Sequence, residues 1–582
     1  MSKLNIDQKT VLELFSNKKT DFLIPDYQRP YAWGDDECQT LWEDLFLFSF
    51  PEEGFDKFDG DNEEYFLGPI VTFKNDEGKM EIIDGQQRLT TLMLLLRAFY
   101  TTYGSMKGDR VEKTSSQIEK CIWRTDEFGY AKKDELKINS EVATDDDKEE
   151  FKNILKEGNI TDDENSRYAN NYRFFMKKIY EFKDKYPDYF SYFPIRIMNN
   201  CILLPIEAES QDTALRIFST LNNRGKPLSD ADIFKAQFYK FYSDKKEKET
   251  FIEKWKNLEV LCNSIFPSTN GSPLDEIFTR YMYYERAKQR NKQTTTEALR
   301  KFYEQDGYAL LKKDETFENL IDLANFWNDV AIQNEEKFDE KVLKRLYVLN
   351  YAPNGMWTYF VSVYYMANRD SEGFLDQEEF YQFLNKITAF IWAYAVTNPG
   401  VNALRGPVYT EMINIIDGLP VNFEEYLFEA DQVNKQFNTY VFANQRPITR
   451  AMLTWWEFQD PEQPLLELGN KMEIEHIFAK KRQEIERSLS NEKNLESLGN
   501  KALLEKKINI RAADYKFNDK KRYYLGFTNN RNQYKEGTKN KELVNLAKTS
   551  EDFTESDIVQ RHAKIISNFI GFLNSNELLK HE

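Results

Sequence analysis

The chain has 582 residues, 41% of them hydrophobic, 30% charged and 15% aromatic, with a formal net charge of −18. That length calls for roughly two to four domains, because single cores rarely grow past about 250–300 residues. There is no run of about 18 apolar residues, which excludes a transmembrane helix. Cys38, Cys121, Cys201 and Cys262 are scattered without a CxxC pair, which argues against a zinc site or a disulfide framework.

The N-terminal MSKLNIDQKTVLELF has no apolar stretch of signal type, so a cytoplasmic protein without membrane contact is expected. Residues 1 to about 100 read as mixed α/β. DFLIPDYQRPYAW begins extended, because Pro25 and Pro30 exclude a long helix. CQTLWEDLFLF has helical spacing. FLGPIVTF and KMEIIDG flank the polar, glycine-containing KNDEG and predict a hairpin. The polar cluster Asp84 to Arg88 ends the second strand, and LTTLMLLLRAFY continues as an apolar helix. A strand, a tight polar turn and a helix can hold an anion at the helix N-terminus.

Residues 100 to 200 read as polar and helical, with an acidic stretch at Asp145 to Glu150, and CILLPIEA reads as one more strand. LNNRGKPLSDADIFKAQFY is a second polar loop, in which Ser229 is the expected N-cap and Asp230 and Asp232 sit in the first turn. From about 245 to 430 the pattern is helical and aromatic, without a catalytic cluster, and a scaffold is expected. No repeat period appears, and there is no GxxxxGK[ST] motif, so a P-loop NTPase is excluded.

Charge is unevenly spread. Lys471 to Ser550 holds 19 lysines and arginines against 11 aspartates and glutamates, a local balance of +8 that leaves −26 for the remainder. One basic working region on an acidic body is the reading. Within it, Met472 to Ile477 alternates polar and apolar as a short strand does. His476 ends that strand. The other two histidines, His562 in a helical pattern and His581 in the tail, read as structural, so paired-histidine zinc hydrolase sites are excluded by counting. One histidine, an adjacent carboxylate and two asparagines suit phosphodiester hydrolysis. A neutral imidazole can deprotonate water. A Mg²⁺-class ion needs only one or two protein oxygens, since phosphate and water fill the rest.

The string EIEHI followed by LGNKALLEKKIN resembles the HNH (ββα-metal) nuclease signature, in particular its DUF1524 branch. The resemblance implies that His476 is the general base, that Glu475 and Asn509 are ligands of Mg²⁺ or Mn²⁺, and that Asn500 braces the loop orienting His476. It places Lys516 and Lys520 near phosphate. Glu475 stands where aspartate is commoner, and Asn509 where the original motif has histidine. At the other end, IPDYQRPYAW, FLGPIV, IIDGQQRLTTL and FSTLNNRGKPLSDADI together resemble the DUF262 family, related to the ParB-like nucleotide-binding fold. That resemblance implies a nucleotide site on Asp84, Gly85, Gln86, Gln87, Arg88 and Thr90, with Thr91 in the same turn. Asn222, Arg224 and Lys226 would close the pocket, and Tyr27, Gln28 and Arg29 would line it or read DNA. The residue types agree: Gly85 permits close backbone approach and Arg88 can pair with phosphate bidentately. The alternative is an internal Asp84–Arg88 salt bridge.

Chains joining the two families resemble GmrSD-type modification-dependent restriction enzymes and related phage-defence nucleases. The expected fold is α+β and multidomain: a ParB-like nucleotide-binding domain over 1–245, a helical scaffold over 246–430, and an HNH-containing, mostly helical domain over 431–582. The expected function is a nucleotide-regulated, metal-dependent endonuclease that cuts foreign, modified double-stranded DNA, and the family allows a homodimer. Two alternatives stay open: a non-catalytic nucleic-acid sensor, and an NTPase-coupled toxin cutting RNA or host DNA. The sequence does not choose among GTP, ATP and CTP, and it does not name the DNA modification.

Overall fold

A computed structural model of the chain describes residues 5–50, 64–142, 144–161, 163–187, 189–211, 213–214, 217, 229–266, 272–400, 403–513 and 516–580. It divides into two compact units, Met1–Lys256 and Asn257–Glu582. Asn222, Arg224 and Lys226 lie outside the described residues. Among the described residues, no helix is long and apolar enough to cross a membrane.

The first unit opens with β1 (Asn5–Ile6), β2 (Lys9–Thr10), α1 (Val11–Ser16), β3 (Phe22–Ile24) and α2 (Asp35–Ser49). It continues with β4 (Tyr65–Lys74), β5 (Met80–Asp84), α3 (Gln86–Tyr103), α4 (Asp109–Ile122), β6 (Trp123–Thr125), β7 (Ala131–Leu136) and β8 (Ile138–Ser140). α5 (Lys148–Glu157), α6 (Arg167–Lys185), α7 (Tyr192–Asn200), β9 (Cys201–Ala208) and α8 (Asp230–Asp244) complete it, and α9 (Lys248–Ile265) spans the boundary.

Seven strands form one mixed sheet in the order β1–β9–β4–β5–β3–β8, with β2 also on β9. The expected hairpin is β4–β5, paired antiparallel, with Asn75 and Gly78 (φ 80°) in its turn. β9 lies parallel to β4. The region around 123–140, which reads as helical, instead supplies three strands: β6 and β7 pair with each other and β8 extends the sheet beside β3. Its AKKDEL segment is mostly polar and largely exposed, so no apolar alternation announces the strand.

α3 is apolar nearly all round and is buried along almost its whole length, as an interior helix must be. Its N-cap, Gly85, adopts the left-handed conformation (φ 95°), and a Cβ there would lie 2.5 Å from Ile70 Cγ2. The turn between β5 and α3 therefore needs glycine twice, for φ and for space. Ser229 caps α8 as expected, accepting from the backbone N–H of Asp232, whose carboxylate in turn accepts from the Ser229 N–H.

The second unit begins with helices: α10 (Pro273–Lys288), α11 (Leu299–Tyr303), α12 (Asp314–Ala331), α13 (Glu340–Leu349), α14 (Met356–Asn368), α15 (Gln377–Thr397), α16 (Arg405–Ile416), α17 (Ala430–Thr439) and α18 (Pro447–Glu457). Aromatic packing joins them, with Phe390 stacked on Phe423 at 3.7 Å and Tyr364 on Phe383 at 4.1 Å between ring centroids. Then follow β10 (Met472–His476), α19 (Lys480–Glu486), β11 (Lys501–Glu505), α20 (Lys506–Ala512), α21 (Phe517–Leu525), β12 (Phe527–Thr528), β13 (Tyr534–Lys535), α22 (Lys541–Thr549) and α23 (Glu555–Ser575). β10 and β11 pair antiparallel from Met472 opposite Glu505 to His476 opposite Lys501, and α20 follows β11 directly. α23 runs so close to the Leu498–Asn500 turn that a Cβ on Gly499 would stand 1.9 Å from Ile558 O.

Candidate active site

β10, β11 and α20 bring the C-terminal residues together. Alternation along β10 sends Glu473 and Glu475 to one face and His476 to the other.

On its face, His476 meets Glu496, whose Oε1 lies 3.5 Å from Nε2. That contact does not meet hydrogen-bond geometry, so Nε2 is buried without a hydrogen-bond partner among the described residues. Burial pulls the imidazole down to about 4; Glu496 opposes this, while Lys480, Lys501 and Lys520 add to it. The ring is therefore neutral at neutral pH. Glu496 is itself pinned by Lys480 at 2.7 Å and by the fully buried Lys501 at 2.6 Å. Burial would raise its carboxyl, but the two ammonium groups outweigh that and hold it at about 2.

Asn500, fully buried, ties the chain just beyond His476. Its Oδ1 accepts from Phe478 N at 2.7 Å, and its Nδ2 donates to Phe478 O at 3.1 Å and Leu495 O at 3.0 Å. Its own carbonyl accepts from Ile477 N at 2.9 Å. One side chain thus satisfies backbone groups on both sides of a buried turn. His562 belongs to the same packing through Nδ1, 2.9 Å from Ser497 Oγ.

The other face of β10 holds a surprise. Glu475 is 4% exposed and its Oε1 is engaged twice, by Lys520 Nζ at 2.6 Å and by Tyr524 Oη at 2.7 Å. Lys520 Nζ also donates to the carbonyl of His476 at 2.6 Å. Lys520, expected at phosphate, is only 1% exposed and spends its charge inside the protein. Lys516 is exposed and paired with Glu486 at 2.7 Å. Asn509, expected beside Glu475, instead donates from Nδ2 to Glu473 Oε2 at 3.0 Å. Glu475 and Asn509, as placed, do not fit a shared metal ion. Among the described residues no group of three or more His, Cys, Asp or Glu side chains is suited to hold one.

Sequence reasoning passed over Glu473, Glu496 and Lys501. The EIE alternation was the signal for Glu473, since residues two apart on a strand share a face. Glu496 lies 20 residues from His476 in a polar loop, and nothing in the sequence links them.

In the first unit, the DGQQR turn is bolted to the QRPYAW segment. Gln87 accepts from Ala32 N at 2.6 Å and donates to Pro30 O at 3.2 Å, while Gln86 donates to Arg29 O at 3.4 Å. Gln28 donates to Ile82 O and Ile83 O, and Tyr31 Oη lies 2.6 Å from Thr91 Oγ1. Gln28, Gln86, Gln87, Thr90 and Thr91 are all buried. Among the described residues Gln86 Oε1 has no hydrogen-bond partner. Arg88 donates to Pro69 O at 3.0 Å. Burial raises the Asp84 carboxyl, opposed by Arg88, the Gly85 N–H and Arg29. Tyr27 donates to Glu81 at 3.1 Å. The motif residues thus form one polar cluster in which most amides are already committed to backbone.

A family model described as "GmrSD restriction endonuclease, N-terminal domain" matches residues 11–239. A second, "GmrSD restriction endonucleases, C-terminal domain", matches residues 428–568. No functionally curated protein matches the chain. The first match spans the whole DGQQR cluster and the second spans His476, Asn500 and Asn509, so both ends of the molecule meet in one conclusion: the chain belongs to the GmrSD family of restriction endonucleases, with a nuclease role in restriction.

Proposed function

We propose that the chain is an HNH-type endonuclease that cuts foreign, modified double-stranded DNA, with His476 as general base and a ParB-like N-terminal unit that regulates it through a bound nucleoside triphosphate. The observation that carries this reading is the neutral imidazole at the end of β10, its Nε2 without a hydrogen-bond partner among the described residues. Asn500 fixes the turn beside it. A base must be unprotonated at working pH, and this one is. Nε2 takes a proton from water, the water oxygen bonds to phosphorus, and the bond from phosphorus to the leaving sugar oxygen breaks, that oxygen keeping the electron pair and taking a proton from solvent. A Mg²⁺ or Mn²⁺ requirement belongs to the reading, although Glu475 and Asn509 as placed do not make a ligand pair.

Glu496 stands against Nε2, and Lys480 is paired with Glu496 behind it. That arrangement supports a resting state, and an unrestrained nuclease would cut its own host. The DGQQR cluster, with its glycine turn at a helix N-terminus, supports the regulatory nucleotide site. The buried amides favour a role for Gln86 and Gln87 in holding the pocket wall rather than in touching the nucleotide.

The test is cleavage of plasmid and phage DNA by the wild-type chain and by His476→Ala, with Mg²⁺ or Mn²⁺ and each nucleotide in turn. Loss of general-base catalysis should slow cleavage by about 10²–10⁴-fold, with circular dichroism unchanged. Equal cleavage by both proteins would remove His476 from the chemistry.

A further inference from the structure

The two glutamates of β10 do different work. Resting on the metal-dependent reading above, we infer that Glu475 is a positioning residue and not a cation ligand, and that the carboxylate available to a divalent ion is Glu473, beside Asn509.

Consider first what surrounds Glu475. Lys520 and Tyr524 stand four residues apart on α21, so they share one face of that helix. Both reach the same carboxylate oxygen, at 2.6 and 2.7 Å, and the Lys520 ammonium extends to His476 O at 2.6 Å. All three side chains are buried, with Tyr524 fully so. A hydrated Mg²⁺ entering here would have to expel a buried ammonium ion that also anchors the His476 main chain. The geometry is that of a clamp: α21 grips β10 at Glu475 and holds the carbonyl of the next residue, which sets where the imidazole stands.

Glu473 differs in standing at the surface. Its side chain is 36% exposed, and its Oε1 is ion-paired at 3.8 Å with Lys506, itself a half-exposed lysine that solvent can replace. Asn509 uses its Nδ2 on Glu473 Oε2, which brings the amide and the carboxylate together. One carboxylate and one amide oxygen suffice for Mg²⁺, which keeps several waters and favours oxygen ligands. α20 supplies Asn509 in register because it follows β11 without a break.

The experiment measures Mn²⁺ affinity of the full chain by electron paramagnetic resonance, and cleavage and thermal midpoint in parallel. Four proteins are compared: wild type, Glu473→Gln, Asn509→Ala, and the double variant Glu475→Gln with Lys520→Met. The double variant removes both charges of the buried pair, so neither is left uncompensated. Glu473→Gln and Asn509→Ala should each weaken Mn²⁺ at least tenfold. The double variant should bind Mn²⁺ within about threefold of wild type, keep its thermal midpoint within a few degrees, and cut at least tenfold more slowly through kcat. Loss of Mn²⁺ affinity in the double variant with Glu473→Gln unaffected would overturn the assignment, as would absence of Mn²⁺ binding by the wild type. Wild-type cleavage that the double variant matches would overturn the clamp. Mn²⁺ binding by a wild type that cuts no DNA would sink the nuclease reading alone and leave the Glu473 assignment standing on its affinities.

Discussion

At the scale of the residue, the site is governed by where charges are buried. His476 carries its lowered pKa because burial penalises the imidazolium more than the single carboxylate of Glu496 helps it. The sign follows. A group that is neutral above about pH 4 is an available base across the neutral range, and its proton is gained only as the pH falls toward that value. If His476 is the base, the acid limb of the DNA-cleavage profile should lie near pH 4–5 and not near 6.5. Single-turnover rates between pH 4.5 and 8 would check this, and a limb at 6.5 would mean that bound DNA or metal resets the imidazole. The buried Lys520–Glu475 pair obeys a related rule. Removing one partner strands the other charge, which costs about 3–5 kcal/mol, whereas removing both costs far less. Lys520 was legible in the sequence as a lysine following the second asparagine, and its identity suggested phosphate. Its burial was not legible, because the partner lies 45 residues away on another element.

At the scale of the element, β10, β11 and α20 form a short unit whose geometry depends on the turn between the strands. Asn500 carries three side-chain hydrogen bonds there, to Phe478 and Leu495. Leaving a buried polar group unpaired costs about 1–3 kcal/mol, so Asn500→Ala should lower stability by about 2–4 kcal/mol. Because the same turn sets His476, cleavage should fall further than the loss of folded protein explains. Chemical denaturation together with cleavage corrected for the folded fraction would separate the two. Cleavage falling only in proportion to folded protein would make Asn500 purely structural. The strand at Met472–His476 was readable from its alternation, and the hairpin β4–β5 from its turn residues. The strands at 123–140 were not, since a polar two-stranded pair and a short edge strand are held by their backbone partners and leave little hydrophobic period. The DGQQR turn was readable as a glycine turn at a helix start. That its glutamines face the QRPYAW backbone emerged only when β5 and that segment were brought together.

At the scale of the whole molecule, charge separates the working region from the rest. A cleft of about 1160 Å³ in the second unit is lined by Lys471, Lys506, Lys507, Arg511, Lys535 and Lys539, with Glu467, Glu505 and Glu536 among them. α20, which carries Asn509, forms part of its wall. A basic cleft beside the nuclease motif is where duplex phosphates would lie, and each phosphate neutralised steepens the salt dependence of binding by about 0.9. Replacing Lys507, Lys535 and Lys539 by glutamine together should therefore reduce the slope of log K against log salt by about 2–3. Fluorescence anisotropy with a short duplex at several salt concentrations measures it, and an unchanged slope would place the DNA elsewhere. The acidic remainder, −26 by sequence, would oppose binding outside the cleft.

The sequence by itself determined the family, the two polar motifs, the position of His476 at a strand end and the uneven charge. These are properties of residue type and near neighbours, which local spacing records. Only the tertiary structure decided that Glu475 is buried with Lys520 while Glu473 stays near the surface, and that Glu496 faces the histidine. Those depend on elements far apart in the chain meeting in one low-dielectric interior, where a charge is kept only with its partner.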